Sequence, residues 1–148
     1  MNRPDPVQEL VLTTGGLGHR RPASGTWGSL PPVVVSAILV AAGAGPASDL
    51  WWVHLLAMLA FLIAFSAVCI TGADGAEARW GKDPSPVVAD ETAGMALTLL
   101  LMPPALFTNE LVFVFATLAG AFLLFRAFDI AKLPPAWGMQ KIAGGWGI

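Results

Sequence analysis

Charged residues are scarce in this chain: Asp, Glu, Lys and Arg together make up 12% of its 148 residues. Because a soluble domain usually carries about a quarter charged residues, this composition argues against an ordinary water-soluble protein. The only cysteine, Cys69, cannot form an internal disulfide, and its apolar surroundings favour a small core residue over a nucleophile. The basic residues form no stripe, so we expect no nucleic-acid partner.

Apolar residues dominate instead: they account for 55% of the chain, and the mean hydropathy is +0.68. At this length we expect one domain, covering residues 1–148. Strand-like alternation is absent, which predicts an all-α, polytopic membrane helical bundle. Its four or so apolar helices should lie at about Leu30–Ala44, Leu50–Thr71, Thr92–Phe107 and Glu110–Ile130.

Two of these stretches carry further signals. Trp51 and Trp52 begin the second stretch, as interfacial anchors of a membrane helix often do. The first stretch is short for a span of roughly 20 residues. It is therefore either a tilted or extended span or a re-entrant helix, opened by Pro31 and Pro32.

The basic residues are distributed asymmetrically along the chain. If the N-terminus is inside and the four stretches cross in turn, all Lys and Arg residues lie inside: Arg3, Arg20, Arg21, Arg79, Lys82, Arg126, Lys132 and Lys141. The outer connections, at about 45–50 and 103–110, contain Asp49 and Glu110 but no basic residue. This positive-inside pattern predicts that the polar motifs face the cytoplasm.

Carboxylates gather on the same side, in one segment that contains Asp74, Glu77, Asp83, Asp90 and Glu91. Asp90 and Glu91 are adjacent at the start of the third apolar stretch. Carboxylates at a membrane boundary are costly unless they bind a cation, pair with one or stay hydrated, and hard oxygen ligands suit Mg²⁺. We interpret this pair as the candidate site, and Asp74 as part of a solvated loop.

Two further polar clusters accompany the acidic pair. Arg126, Asp129 and Lys132 share one helical face. They form either an interfacial helix end with a local ion pair or a metal-binding aspartate between two phosphate-binding cations. The Gly-rich segment 15–30 is either a plain connector or an anion-binding nest of backbone N–H groups, and its Ser29 is a candidate N-cap of the following helix.

Four motifs in a fixed order carry a resemblance to a known family. They are Gly25-Thr26-Trp27-Gly28-Ser29-Leu30, the run from Asp83-Pro84-Ser85 through Asp90-Glu91 to Gly94-Met95, Phe125-Arg126-Ala127-Phe128-Asp129-Ile130-Ala131-Lys132, and Gly144-Gly145-Trp146-Gly147-Ile148. In these motifs the chain resembles bacterial phosphatidylglycerophosphatase A, a Mg²⁺-dependent membrane lipid phosphatase. Ser24 departs from the pattern, because the family commonly has proline there.

The resemblance implies an activity and a setting. The expected reaction is hydrolysis of phosphatidylglycerophosphate to phosphatidylglycerol and inorganic phosphate, with Mg²⁺ as cofactor. The expected partners are the anionic phospholipid substrate and the lipid bilayer. The expected location is the bacterial cytoplasmic (inner) membrane, with the active site on the cytoplasmic face.

The resemblance also implies roles for individual residues. Asp90, Glu91 and Asp129 would be catalytic and would bind Mg²⁺. Asp83 and Glu77 would be further metal ligands or would lie just behind them. The substrate would be held by Arg126, Lys132, Arg20, Thr26 and Ser29. Family sequences continue beyond Gly144–Ile148 into a pair of aspartates and another apolar helix, so we expect these 148 residues alone to bind Mg²⁺ weakly and to turn over slowly.

Two other functions compete with this interpretation. An ion-coupled transporter or assembly subunit would use carboxylates deep within several spans, whereas here they lie at span ends. A CDP-alcohol phosphotransferase would share the opening half-motif Asp74-Gly75-Ala76-Glu77-Ala78-Arg79. That signature then requires one glycine and two aspartates, and the chain has Val88, Thr92 and Ala96 at those positions.

Overall fold

The computed structural model describes residues 4–81, 84–107 and 110–131. These residues form five α-helices and two short 3-10 helices and contain no β-strand, which confirms the all-α prediction. The α-helices are α1 (Pro6–Leu12), α2 (Ser24–Ala41), α3 (Trp51–Trp80), α4 (Ala89–Leu101) and α5 (Leu111–Ala131). The 3-10 helices cover Leu17–His19 and Pro104–Phe107.

Three of the described helices are long and apolar enough to cross a membrane: α2, α3 and α5, with 18, 30 and 21 residues. The remaining apolar helix, α4, has 13 residues. At 1.5 Å per residue α4 is about 20 Å long, less than the hydrocarbon layer of roughly 30 Å. The third apolar stretch is therefore not one continuous span: α4 ends at Leu101, just before Pro103 and Pro104, which cannot continue a helix.

α3 extends well beyond its predicted end near Thr71, to Trp80. Gly72, Ala73 and Ala76 are buried in this extension, and a Cβ added at Gly72 would lie 3.1 Å from the Leu12 side chain of α1. Packing against α1 keeps the added turns helical although their sequence is polar. The prediction that Asp74 lies in a loop is wrong, since Asp74 belongs to α3. Its side chain is exposed, as a solvated position requires.

α2 begins at Ser24, earlier than predicted, so Ser29 is a helix-interior residue rather than an N-cap. The Ser29 hydroxyl donates to the Gly25 carbonyl at 2.8 Å and is fully buried. Pro32 has no N–H to donate to the Gly28 carbonyl. The Thr92 hydroxyl of α4 donates to that carbonyl instead, at 2.7 Å, so a hydrogen bond between helices replaces one within α2.

α4 packs against both α2 and α3, and much of its length is buried. Its Met95 and Leu99 form a core with Met58 of α3 and Leu118 of α5. Small residues allow close approach: a Cβ at Gly28 would lie 2.6 Å from the Val88 Cβ. The central position of α4 brings its first turn to the middle of one end of the bundle.

The bundle has two chemically different ends. We call the end where α2 and α4 begin the site end, and the end where α3 begins the tryptophan end. Trp51 and Trp52 are exposed at the tryptophan end, as expected for interfacial anchors. The arginines that the structure describes all lie at the site end: Arg20, Arg21, Arg79 and Arg126. The remaining four basic residues lie outside the described residues.

Candidate active site

Three helix ends meet at the site end. Gly25 lies in the first turn of α2, Glu91 in the first turn of α4, and Arg126 near the end of α5. A methyl group at Gly25 would overlap the Glu91 carboxylate and lie 2.9 Å from both Nη atoms of Arg126. Segments far apart in the sequence therefore converge on one small region.

Arg126 links the carboxylates of this region. Its Nη1 lies 2.6 Å from Asp129 Oδ2 and 4.0 Å from Glu91 Oε1. The exposed fraction of the side chain is 12% for Arg126, 16% for Glu91 and 35% for Asp129. Arg126 and Glu91 are mostly buried, so their attraction is screened less than that of a surface pair. The short contact to the partly exposed Asp129 fixes the direction of the guanidinium.

Helix geometry favours these positions. Asp90 and Glu91 lie in the first turn of α4, where the helix dipole stabilises negative charge. Arg126 lies one turn before the end of α5, opposite the first turn of α4. Glu91 and Asp129 approach the same guanidinium. Burial, and then the neighbouring Asp90 carboxylate, raise the pKa of Glu91 to about 9, a cost of ionisation that a bound cation would offset.

Three buried polar atoms point to what the site binds. Asp90 Oδ1, Glu91 Oε2 and Arg126 Nε are buried and form no hydrogen bond with the residues that the structure describes. A buried polar atom without a partner costs about 1–3 kcal/mol, and more when the group is charged. Two acceptor oxygens suit a cation and one guanidinium donor suits an anion, so the donor set fits a metal ion together with a phosphate group.

The residues present fit Mg²⁺ as a two-carboxylate site. In the described part of the chain, no three His, Cys, Asp or Glu side chains converge closely enough to chelate an ion. Mg²⁺ typically takes one or two carboxylates and completes its octahedron with water and substrate phosphate. Asp90 and Glu91 would provide those two carboxylates, and Asp129 would act through Arg126.

The other predicted site residues are placed less centrally. Glu77 is exposed on α3 and forms no three-member ligand group with Asp90 and Glu91. Arg20 is exposed just before α2, and Thr26 is half-buried in the first turn of α2. The Ser29 hydroxyl is engaged within α2. Asp83 and Lys132 lie outside the described residues.

Sequence reasoning missed a hydrogen-bond network beneath the site. The Thr14 and Thr92 hydroxyl oxygens are 2.7 Å apart, and Thr92 also donates to the Gly28 carbonyl. The Val88 N–H donates to the Leu12 carbonyl at 2.9 Å. These bonds tie the start of α4 to α2 and to the N-terminal segment. The sequence signal was a proline four residues after Gly28. Because Pro32 has no N–H, the Gly28 carbonyl lacks its usual donor within this apolar helix.

Gly25 was interpreted as part of a possible anion nest, and the structure gives it a different role. It lies in the first turn of α2, in close contact with Glu91 and Arg126. The family motif Gly25-Thr26-Trp27-Gly28-Ser29 therefore includes the residue that allows α2 to approach the acidic pair, and this is a packing requirement rather than a loop conformation.

Comparisons with known proteins place the chain among lipid phosphatases. The family profile described as phosphatidylglycerophosphatase A matches residues 10–148. A putative phosphatidylinositol-3-phosphatase from Bacteroides thetaiotaomicron is 32% identical over 148 residues, which cover 100% of this chain and 86% of that protein. A phosphatidylglycerophosphatase A from Haemophilus influenzae is 31% identical over 155 residues, which cover 97% of this chain and 78% of that protein. No solved structure matches the chain.

These matches distinguish the competing interpretations. The matched range, residues 10–148, spans Gly25, Glu91 and Arg126, the three residues that meet in space. Neither relative is named as a transporter or a phosphotransferase. Asp74, which opens the phosphotransferase half-motif, is an exposed residue of α3. The resemblance inferred from the four motifs is thus confirmed, and the chain belongs to the phosphatidylglycerophosphatase A family of lipid phosphatases.

Proposed function

We propose that the chain hydrolyses the phosphate monoester of a membrane phospholipid in a Mg²⁺-dependent reaction, with phosphatidylglycerophosphate as the substrate. The observation that carries this proposal is the buried set of unpartnered atoms: Asp90 Oδ1, Glu91 Oε2 and Arg126 Nε. A site that offers both carboxylate oxygens and a guanidinium donor suits a metal-bound phosphate. Family membership supplies the reaction class.

Each residue has a distinct role in this mechanism. Asp90 and Glu91 would hold Mg²⁺, which supplies a Lewis acid for the phosphate and lowers the pKa of a bound water. Arg126 would donate to phosphate oxygens through Nε and Nη2, while Asp129 holds Nη1 and so orients the guanidinium. In the reaction the P–O bond to the headgroup glycerol breaks, a bond forms between phosphorus and the water oxygen, and the proton that this water gives up goes to the leaving alkoxide.

The remaining predicted residues complete the proposal. Arg20, Thr26 and Lys132 would contact the anionic headgroup from the edge of the site, and Asp83 and Glu77 would act as further or more distant metal ligands. Ser29 would support the substrate through the start of α2, because its own hydroxyl bonds to Gly25. The glycerol headgroup is a finer proposal than the reaction class, since the relatives' names refer to two different lipid phosphates.

We also propose that the site end faces the cytoplasm of the bacterial inner membrane. All described arginines lie at that end and the paired tryptophans at the other. Cytoplasmic segments of membrane proteins carry an excess of Lys and Arg. Newly made phospholipid in the inner leaflet would then reach the site directly.

An assay of phosphate release in detergent micelles, with and without Mg²⁺, tests the proposal. Asp90→Asn and Glu91→Gln keep size but remove the negative charge that Mg²⁺ requires, so each should lower kcat by at least about 100-fold. Asp129→Asn should have a similar effect through misdirection of Arg126. Asp74→Asn is the matched control, because Asp74 is an exposed acid on α3, and its activity should stay near normal.

Circular dichroism should show that the three site variants remain helical. Near-normal phosphate release by Asp90→Asn and Glu91→Gln together would refute the metal-site assignment, and near-normal release by Asp129→Asn would refute the role of Asp129 in orienting Arg126. Loss of activity in Asp74→Asn would instead favour the phosphotransferase interpretation, in which Asp74 is essential.

A further inference from the structure

A cavity of about 400 Å³ lies beside the candidate active site. Its walls are the segment that leads into α2 and the residues that precede α4. The side chains of His19, Arg21, Ser24 and Ser85 contribute its polar lining. Ser24 is followed directly by Gly25, which packs against Glu91 and Arg126, so the cavity and the active site are neighbours at the start of α2.

The cavity is suited to an anion. Its described lining contains a guanidinium, an imidazole and two hydroxyl groups but no carboxylate. The α2 helix begins at its edge, and no described side chain caps that helix end. The positive end of the α2 dipole adds to the charge of Arg21. The neighbouring active site differs sharply, because three carboxylates dominate there.

Two contacts hold the cavity walls in place. A Cβ at Gly18 would overlap the Pro86 carbonyl, so the segment before α2 lies directly against the residues that lead into α4. The His19 ring packs edge-on against Trp80 at the end of α3, with ring centroids 6.2 Å apart. The two segments that line the cavity are thus packed against each other, and one of them also packs against α3.

We propose that this cavity binds the second phosphate group of the substrate, the diester phosphate that joins the headgroup glycerol to diacylglycerol. The monoester phosphate would then lie at Asp90, Glu91 and Arg126. These residues are next to the cavity, because Ser24 lines the cavity and the following residue, Gly25, contacts Glu91 and Arg126. Arg21 becomes a specificity-determining residue that distinguishes a headgroup with two phosphates from a lipid with one. This inference rests on the proposed function and adds the feature of the substrate that the site recognises.

The test compares two lipids in the same micelles. Phosphatidylglycerophosphate has a diester and a monoester phosphate, whereas phosphatidate has a monoester alone. Arg21→Gln should raise KM for phosphatidylglycerophosphate about tenfold, the cost of one charge-assisted hydrogen bond in a hydrated cavity. Its KM for phosphatidate and its kcat for both lipids should stay within about twofold. Arg21→Lys keeps the charge and should recover most of the selectivity.

Arg79→Gln is the matched control. Arg79 lies at the same end, outside the cavity lining, and pairs with Glu9 at 2.8 Å. Removing its charge should leave the ratio of the two KM values unchanged. An equal rise of KM for both lipids in Arg21→Gln, or no rise for either, would overturn the assignment of the cavity.

Binding without turnover separates this inference from the proposed function. Short-chain versions of both lipids are titrated calorimetrically into Asp90→Asn protein, with and without Arg21→Gln. A selective loss of phosphatidylglycerophosphate affinity supports the second phosphate site, and equal affinities for the two lipids before and after the change overturn it. If the unchanged protein hydrolyses neither lipid, the proposed function fails, and the binding ratio still decides the role of the cavity.

Discussion

At Gly25 the absence of a side chain decides how closely α2 can approach the acidic pair. Glu91 and Arg126 occupy the space that a Cβ would need. Any side chain at this position would displace the Glu91 carboxylate or the Arg126 guanidinium. In a helix without neighbours this position would accept any side chain. The requirement for glycine therefore comes from the contact with α4 and α5 alone.

Gly25→Ala should therefore reduce kcat by about 100-fold, the usual effect of displacing catalytic groups by about 1 Å. The fold should survive, because alanine favours a helix more than glycine does. Gly120→Ala on α5 is the control: no described atom lies within 4 Å of a Cβ added there. Steady-state kinetics and circular dichroism measure both variants. Normal activity of Gly25→Ala would show that Glu91 and Arg126 do not need their present separation.

At the scale of elements, α2 and α4 are joined through a carbonyl that proline leaves free. Pro32 is fully buried and has no N–H to donate to the Gly28 carbonyl. The Thr92 hydroxyl of α4 donates to this carbonyl instead. Thr92 directly follows Glu91 in the chain. The hydrogen bond that satisfies α2 thus also fixes the turn that presents the candidate metal ligands.

Thr92→Val should destabilise the protein by about 1–3 kcal/mol, because the substitution keeps the shape but leaves a buried carbonyl without a donor. Melting temperature in detergent is the measurement. Thr98→Val is the control on the same helix, since the Thr98 hydroxyl bonds only to the Gly94 carbonyl of its own helix in the described structure. In a Pro32→Ala background the alanine N–H can serve the Gly28 carbonyl, so the cost of Thr92→Val should shrink. An equal cost in both backgrounds would contradict the exchange of donors.

The sequence predicts the helices better than their ends. Apolar composition identifies the four apolar helices, and the resemblance selects Glu91 and Arg126, which the structure brings together; their roles stay a prediction. The extension of α3 to Trp80 was not predictable, because its polar turns are held by packing on Leu12, a residue distant in sequence. The contact of Gly25 with Glu91 has the same origin, since no local pattern reports which helix ends meet.

At the scale of the whole molecule, charge and packing point to one arrangement. The short helix α4 lies between α2 and α3, and its acidic first turn opens at the same end as the described arginines. That end also contains the cavity beside the candidate active site. A lipid held at the membrane surface would meet the cavity and the candidate active site from the same side, which makes the orientation of the bundle part of the proposed function.

Orientation can be tested by labelling single cysteines in a Cys69→Ala background. Asp49→Cys lies between α2 and α3 at the tryptophan end, and Ala78→Cys lies near the end of α3 at the site end; both positions are exposed. Because basic residues are retained on the cytoplasmic side, a membrane-impermeant maleimide added to intact cells should label position 49. Position 78 should react only after the cells are permeabilised, which also serves as the control for its reactivity. Labelling of position 78 in intact cells would show that the topology is the opposite of the proposed one and that the site does not face the inner leaflet.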